Sequence, residues 1–131
     1  MEYSSKNHAK FLIMYHLIFA CKYRKPLLEP LGEAVKALFS EISFSSQFSI
    51  EEMEGARDHI HCFVQSEPTI SPVSMVRRLK QESTYALWQQ YAPLLKQHFW
   101  KERTFWSDGY FCCTVGNASQ EIIRHYIETQ G

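Results

Sequence analysis

The stretch Asp58-His59-Ile60-His61-Cys62-Phe63-Val64-Gln65 constrains this chain more than any other. Ile, Cys, Phe and Val suit a pleated, half-buried surface. In a strand, side chains two positions apart leave the same face. The segment is therefore expected to be a strand with His59, His61, Phe63 and Gln65 on one face. Ile60, Cys62 and Val64 would point the other way, into a core. Two imidazoles on neighbouring same-side positions can share one metal ion or one phosphate. The plainer reading is two polar residues on a strand surface.

The chain has 131 residues, one domain's worth, and we read 1–131 as a single domain with a real core. Its 14 basic and 14 acidic residues cancel, so overall charge cannot draw it to nucleic acid. Any such binding must use local basic patches. The four cysteines, Cys21, Cys62, Cys112 and Cys113, form no C-x-x-C pair and suggest buried thiols in a reducing compartment. No apolar run approaches a membrane span and no charged-then-apolar signal opens the chain. The expected location is the cytoplasm, with no membrane partner.

Read in order, residues 1–8 look like a loose terminus. The apolar, β-rich run from Lys10 to Cys21 fits a central strand, in which His16 reads as a hydrogen-bonded core residue. Lys22-Tyr23-Arg24-Lys25, stopped by Pro26, makes a compact basic loop that can contact phosphates while Tyr23 stacks or packs locally. Residues 31–44 carry Leu31, Val35, Leu38, Phe39 and Ile42 at helical spacing. Phe48–Met53 reads as a strand joined to the His strand by a turn at 54–57. Ser71-Pro72 is a helix start, and the helix should run to about Tyr91, before Pro93. Met75, Val76, Leu79, Tyr85 and Ala86 form its expected inner face, while Arg77, Arg78 and Lys80 crowd its first half. Trp106-Ser107-Asp108-Gly109 signals a turn into a strand at Tyr110–Val115. Asn117 and Gln120 are in capping-box register for a final helix, which carries Tyr126 and Gln130 one turn apart. The order β-α-β-β-α-β-α describes an α+β, ferredoxin-like antiparallel sheet with an added C-terminal helix carrying the tyrosine.

Several stretches together resemble a known family. His59-Ile60-His61 is similar to the His-hydrophobic-His motif of the HUH nucleases. Tyr126-Ile127-Glu128-Thr129-Gln130 resembles the tyrosine helix of the single-tyrosine transposases of the IS200/IS605 insertion-sequence family. Tyr15-His16-Leu17-Ile18-Phe19 leading into Lys22-Tyr23-Arg24-Lys25, and Phe105-Trp106-Ser107-Asp108-Gly109-Tyr110-Phe111 running to Thr114-Val115-Gly116, resemble the same family. Val76-Arg77-Arg78-Leu79-Lys80 matches more loosely. The likeness covers nearly the whole chain.

The resemblance implies a single-stranded DNA endonuclease and strand transferase that cuts and rejoins the ends of a mobile element, recognised through imperfect hairpins. It implies a homodimer in which one subunit's tyrosine helix can complete the partner's His site. His59, His61 and Gln130 would hold Mg²⁺ or Mn²⁺; the two nitrogen ligands suit Mn²⁺ better. Tyr126 would attack phosphorus and form a 5′-phosphotyrosine. Among seven tyrosines, Tyr126 has a potential ligand one helical turn away on the same face. With no net charge, DNA contacts would fall to Lys22, Tyr23, Arg24 and Lys25 in the loop and to Arg77, Arg78 and Lys80 on the helix. The alternatives are a domesticated relative that binds hairpin DNA without recombining it, a zinc hydrolase using His59, His61 and a cysteine, and a purely structural ferredoxin-like domain.

Overall fold

The structure, a computed structural model, describes residues 4–6, 9–114 and 128. Four strands lie where the sequence pattern puts them. The alternating stretch is strand β5 (His59–Ser66), and its residues alternate between half-buried and buried as expected. Strand β4 (Phe48–Gly55) pairs antiparallel with β5, opposing Gly55 to Ile60 and Glu54 to His61, with one irregularity between Ile50 and Glu52. Strand β3 (Ile13–Ala20) lies on the other side of β5, and β6 (Phe111–Thr114) pairs with the far edge of β3.

The four-stranded order is β4-β5-β3-β6, and every pairing is antiparallel. Helix α1 (Leu28–Phe44) joins β3 to β4, and α2 (Pro72–His98) joins β5 to β6. This is the split βαβ arrangement of the ferredoxin-like fold. The apolar run around residues 10–21 is the central strand, as its composition demands. Its first residues belong elsewhere: Ala9–Phe11 (β2) pairs with Ser4–Lys6 (β1) in a small separate hairpin, where the sequence suggested a loose terminus.

Both helices cover one face of the sheet. Leu17, Phe19 and Cys21 of the β3 segment and Ile60, Cys62 and Val64 of β5 meet Leu31, Val35 and Phe39 of α1 and Met75, Leu79 and Leu87 of α2 in one buried cluster. Phe19 and Phe39 pack edge to face, and Trp106 stacks against both. The buried Trp106 indole donates to Ser83 Oγ at 2.9 Å, so its polar atom is satisfied inside the core.

Helix α2 departs from its expected description in two ways. Ser71 caps it as the sequence suggests, accepting from the Ser74 amide. It does not stop before Pro93 but continues to His98 with a local break at Tyr91 (φ −127°). Pro93 lacks the amide that would bond back and crowds the preceding turn, so the helix kinks instead of ending. The inner face also differs. It runs through Ser83, Leu87 and Trp88, which are buried, whereas Tyr85 is exposed. Ser83 faces the Trp106 indole, and Tyr85, two positions on, falls on the opposite side of the helix, toward solvent. The predicted final helix, with Tyr126 and Gln130, and the end of the predicted last strand at Val115 lie outside the described residues.

Candidate active site

The face of the sheet away from the helices carries the histidines. Within β5, His59 and His61 lie on that face, with ring centroids 5.3 Å apart. From β3 the pairing register brings a third. His16 stands opposite Phe63, and Ile18 stands opposite His61, so His16 is the diagonal neighbour of His61. Their rings meet with centroids 5.4 Å apart, and His16 Nε2 lies 3.3 Å from His61 Nδ1. Phe63 packs edge-on against the His16 ring. Ile18, directly across from His61, is fully buried, so this is not an open wet strand surface.

The surroundings favour the neutral form of two of these rings, His61 and His16. Burial pushes the His61 pKa down, and the neighbouring His59 and His16 add to that, against a weaker upward pull from Glu54. Burial alone pushes His16 down. On the other side of the pair, the His59 Nδ1 lies 2.9 Å from Asp58 Oδ1. Arg24 grips the same carboxylate with both prongs of its guanidinium, Nε to Oδ2 at 2.9 Å and Nη2 to Oδ1 at 3.1 Å. Burial works against the charge on Asp58, but the Arg24 and His59 hydrogen bonds outweigh it and hold the carboxyl below its ordinary range.

The basic loop is shaped to make this grip. Its residues form a single 3₁₀ turn in which Tyr23 (φ 58°) and Arg24 (φ 54°) are both left-handed. That conformation costs about 1–2 kcal/mol per non-glycine residue. Backbone bonds on both flanks hold it: Cys21 N–H donates to the Asp58 carbonyl, and Lys22 N–H to Phe105, each at 2.8 Å.

The seven residues expected to touch DNA do not form one cationic surface. Arg24 is engaged with Asp58 behind His59. Lys22 pairs with Asp108 at 3.1 Å. Lys80 donates to the carbonyls of Ser107, Asp108 and Gly109 at 2.8, 3.1 and 2.8 Å, so its ammonium fastens the turn that leads into β6. Arg78 bonds Glu82 and the serines that end α1, Ser45 and Ser46. Tyr23 and Arg77 are exposed and Lys25 is partly so.

Among the described residues no three His, Cys, Asp or Glu side chains are arranged to hold a metal ion by themselves. Cys62, the cysteine nearest the pair in sequence, lies on the opposite face with no exposure, and burial pushes its thiol far up. That removes the cysteine nearest to hand from the zinc-hydrolase reading. Tyr126 and Gln130 lie outside the described residues.

Sequence reasoning missed His16 and Asp58 as members of this cluster and gave Arg24 a different task. The adjacency of Asp58 to His59 was a readable signal. His16 was not, because its neighbourhood depends on how β3 registers against β5.

Comparisons with known proteins bear on the whole of this arrangement. The sequence profile of the family described as "Transposase IS200 like" matches residues 9–130. The transposase of insertion sequence element IS200 from Salmonella typhimurium is 32% identical over 127 residues, covering 92% of this chain and 81% of that protein. The ISDra2 transposase TnpA of Deinococcus radiodurans is 28% identical over 121 residues, covering 92% and 85%. A crystal structure of a Deinococcus radiodurans protein assigned as a transposase superposes with a TM-score of 0.85 at 26% identity, covering 99% of this chain and 98% of that one. A REP-associated tyrosine transposase bound to a REP hairpin shares the fold at a TM-score of 0.56 and 14% identity. The chain belongs to the IS200-like family of transposases.

Proposed function

We propose that this transposase cuts and rejoins single-stranded DNA at the ends of an insertion sequence through a 5′-phosphotyrosine on Tyr126, with His59 and His61 holding a divalent cation. The observation that carries the reading is the paired imidazoles of β5 in a chain of this family. Each ring turns its Nδ1 to a protein partner, so Nε2 is the nitrogen of each that can face a cation. Neutral imidazole nitrogens suit Mn²⁺ and serve Mg²⁺ when oxygen ligands complete the set. Gln130 is proposed as one such oxygen.

When bound, a Mg²⁺ or Mn²⁺ ion would polarise the scissile phosphate and offset its developing negative charge. The chain supplies the rest. Tyr126 attacks phosphorus in line with the 3′-oxygen, the Oη–P bond forms, and the P–O3′ bond breaks. The phenol proton leaves to a base, and the departing 3′-oxygen takes up a proton. The phosphate remains esterified to Tyr126, so rejoining is the reverse displacement by a 3′-hydroxyl and requires no nucleotide cofactor. In this reading Tyr23, Lys25 and Arg77 contact DNA directly. Arg24, Lys22 and Lys80 act on the shape of the surface beneath it. A homodimer brings the tyrosine helix of one subunit to the His pair of the other.

The test is incubation with a single-stranded hairpin oligonucleotide and Mn²⁺, followed by denaturing electrophoresis. A covalent protein–DNA band that disappears in Tyr126→Phe supports the reading. Hairpin binding without a band in the wild type favours the domesticated, binding-only relative. A band that persists in Tyr126→Phe overturns the choice of nucleophile.

A further inference from the structure

His59 and His61 are held alike in one respect: the Nδ1 of each meets a protein partner, Asp58 for the first and His16 for the second. The Asp58 partner leaves no choice of proton. An ionised carboxylate only accepts, so a neutral His59 carries its proton on Nδ1 and bares the lone pair of Nε2. The 3.3 Å contact between His16 and His61 is compatible with two proton arrangements. In one, His16 donates from Nε2. A neutral His61 then keeps its own proton on Nε2, and that nitrogen cannot ligate. In the other, His61 donates from Nδ1 to a lone pair on His16, and its Nε2 is bare like that of His59.

We infer that His16 is a positioning residue that accepts the Nδ1 proton of His61 and so fixes His61 in the tautomer whose Nε2 faces a cation. This rests on the proposed metal role of the pair. Two features of the packing support it. Phe63 packs edge-on against the His16 ring and restricts its rotation. The Ile18 side chain beside it is fully buried, so water competes poorly for the two nitrogens. His16 thus does from the neighbouring strand what Asp58 does from the adjacent residue. The pair is held at one end by the Arg24–Asp58 ion pair and at the other by a ring from the next strand.

The experiment uses the full chain labelled with ¹⁵N-histidine. Long-range ¹⁵N–¹H correlation spectra of the metal-free protein near pH 7.5, an approximate value chosen about one unit above the ordinary histidine pKa, report each tautomer. His59 serves as an internal reference. The expected result is Nδ1–H for both His59 and His61. In His16→Phe, His61 moves toward the Nε2–H form, and Mn²⁺ affinity by electron paramagnetic resonance falls about 10- to 100-fold, the range usual for loss of a partner behind a ligand. His16→Gln, whose amide oxygen still accepts, restores both readouts. An Nε2–H His61 in the wild type overturns the inference without any variant. So does an unchanged tautomer and affinity in a folded His16→Phe. A wild type that has His61 in the Nδ1–H form yet does not bind Mn²⁺ supports the hydrogen-bond assignment and overturns the metal reading, which separates the two failures.

Discussion

The two faces of this sheet are built from the same strands, residue by residue in alternation, and hold opposite kinds of chemistry. The helix-bearing face is aliphatic and aromatic, closed over by α1 and α2, and among the described residues its buried indole N–H groups are satisfied, Trp106 by Ser83 and Trp88 by the Thr104 carbonyl. The other face places three imidazoles, a carboxylate and a guanidinium in contact through β3, β5 and the Lys22–Arg24 turn. The core face fixes where the backbone lies. The histidine face uses that fixed backbone to hold polar rings at distances they would not keep alone. Stability and chemistry are therefore separable here to an unusual degree, because period-two alternation assigns neighbouring residues to different tasks.

The sharpest way to break that separation is to truncate one of the proposed ligands. His61→Ala should abolish Mn²⁺-dependent adduct formation, a loss of about a thousandfold or more, while costing about 1 kcal/mol or less in urea unfolding. A variant with full cleavage would remove His61 from the chemistry; one that unfolds would merge the two faces. The converse change is Phe39→Ala on the core face. Removing a fully buried ring should cost about 3–5 kcal/mol, read from denaturant midpoints, with adduct formation preserved at a temperature where the variant remains folded.

A third test uses alkali. Burial raises the Cys21 thiol to about 12, from the ordinary thiol value it regains on unfolding. A raised folded pKa gives stability that is intact below the unfolded value and is lost as the pH climbs toward the folded one. The core face should therefore weaken from about pH 9 upward, with up to about 1.4 kcal/mol per pH unit traceable to this thiol. In Cys21→Ala that part of the slope should vanish. An unchanged slope would mean the site is wetter than its burial indicates.

The smallest effect concerns the cations. Arg77→Ala and Lys25→Ala should each lower the salt dependence of hairpin binding by about one unit if the residue meets a phosphate. Lys80→Met should leave that slope alone and instead loosen the 107–109 turn, seen as lower thermal stability. A reduced slope for Lys80→Met would return it to the DNA-contacting set.

Much of this was readable from the chain. The alternation of Asp58–Gln65 gives both the strand and the facing of its side chains, and Ser71-Pro72 marks the start of α2. Helix α1 is found by its apolar spacing, although it begins at Leu28, earlier than residue 31, because Pro30 falls in the first turn, where its missing amide costs nothing. Charge partners were not readable. Arg24, Lys22 and Lys80 look alike in sequence, and their different tasks follow from residues 34, 86 and 27–29 positions away. His16 falls in the same class, since only the register of β3 against β5 makes it a neighbour of His61.

The placement of β6 has a consequence for how the molecule is made. Tyr15 of β3 pairs with Thr114, about a hundred residues later in the chain. At roughly 5–20 residues per second, the ribosome needs about 5–20 s to deliver the strand that closes that edge. During this interval β3 can pair with β5 on one side only, and its other row of amides and carbonyls is open to a second nascent copy. Such distant pairing also slows the final closure relative to the β4–β5 hairpin, which forms locally. A ribosome stalled before Phe111 should therefore hold a chain with a formed hairpin and helices and an adhesive central strand, whose tendency to associate ends only when the last strand docks.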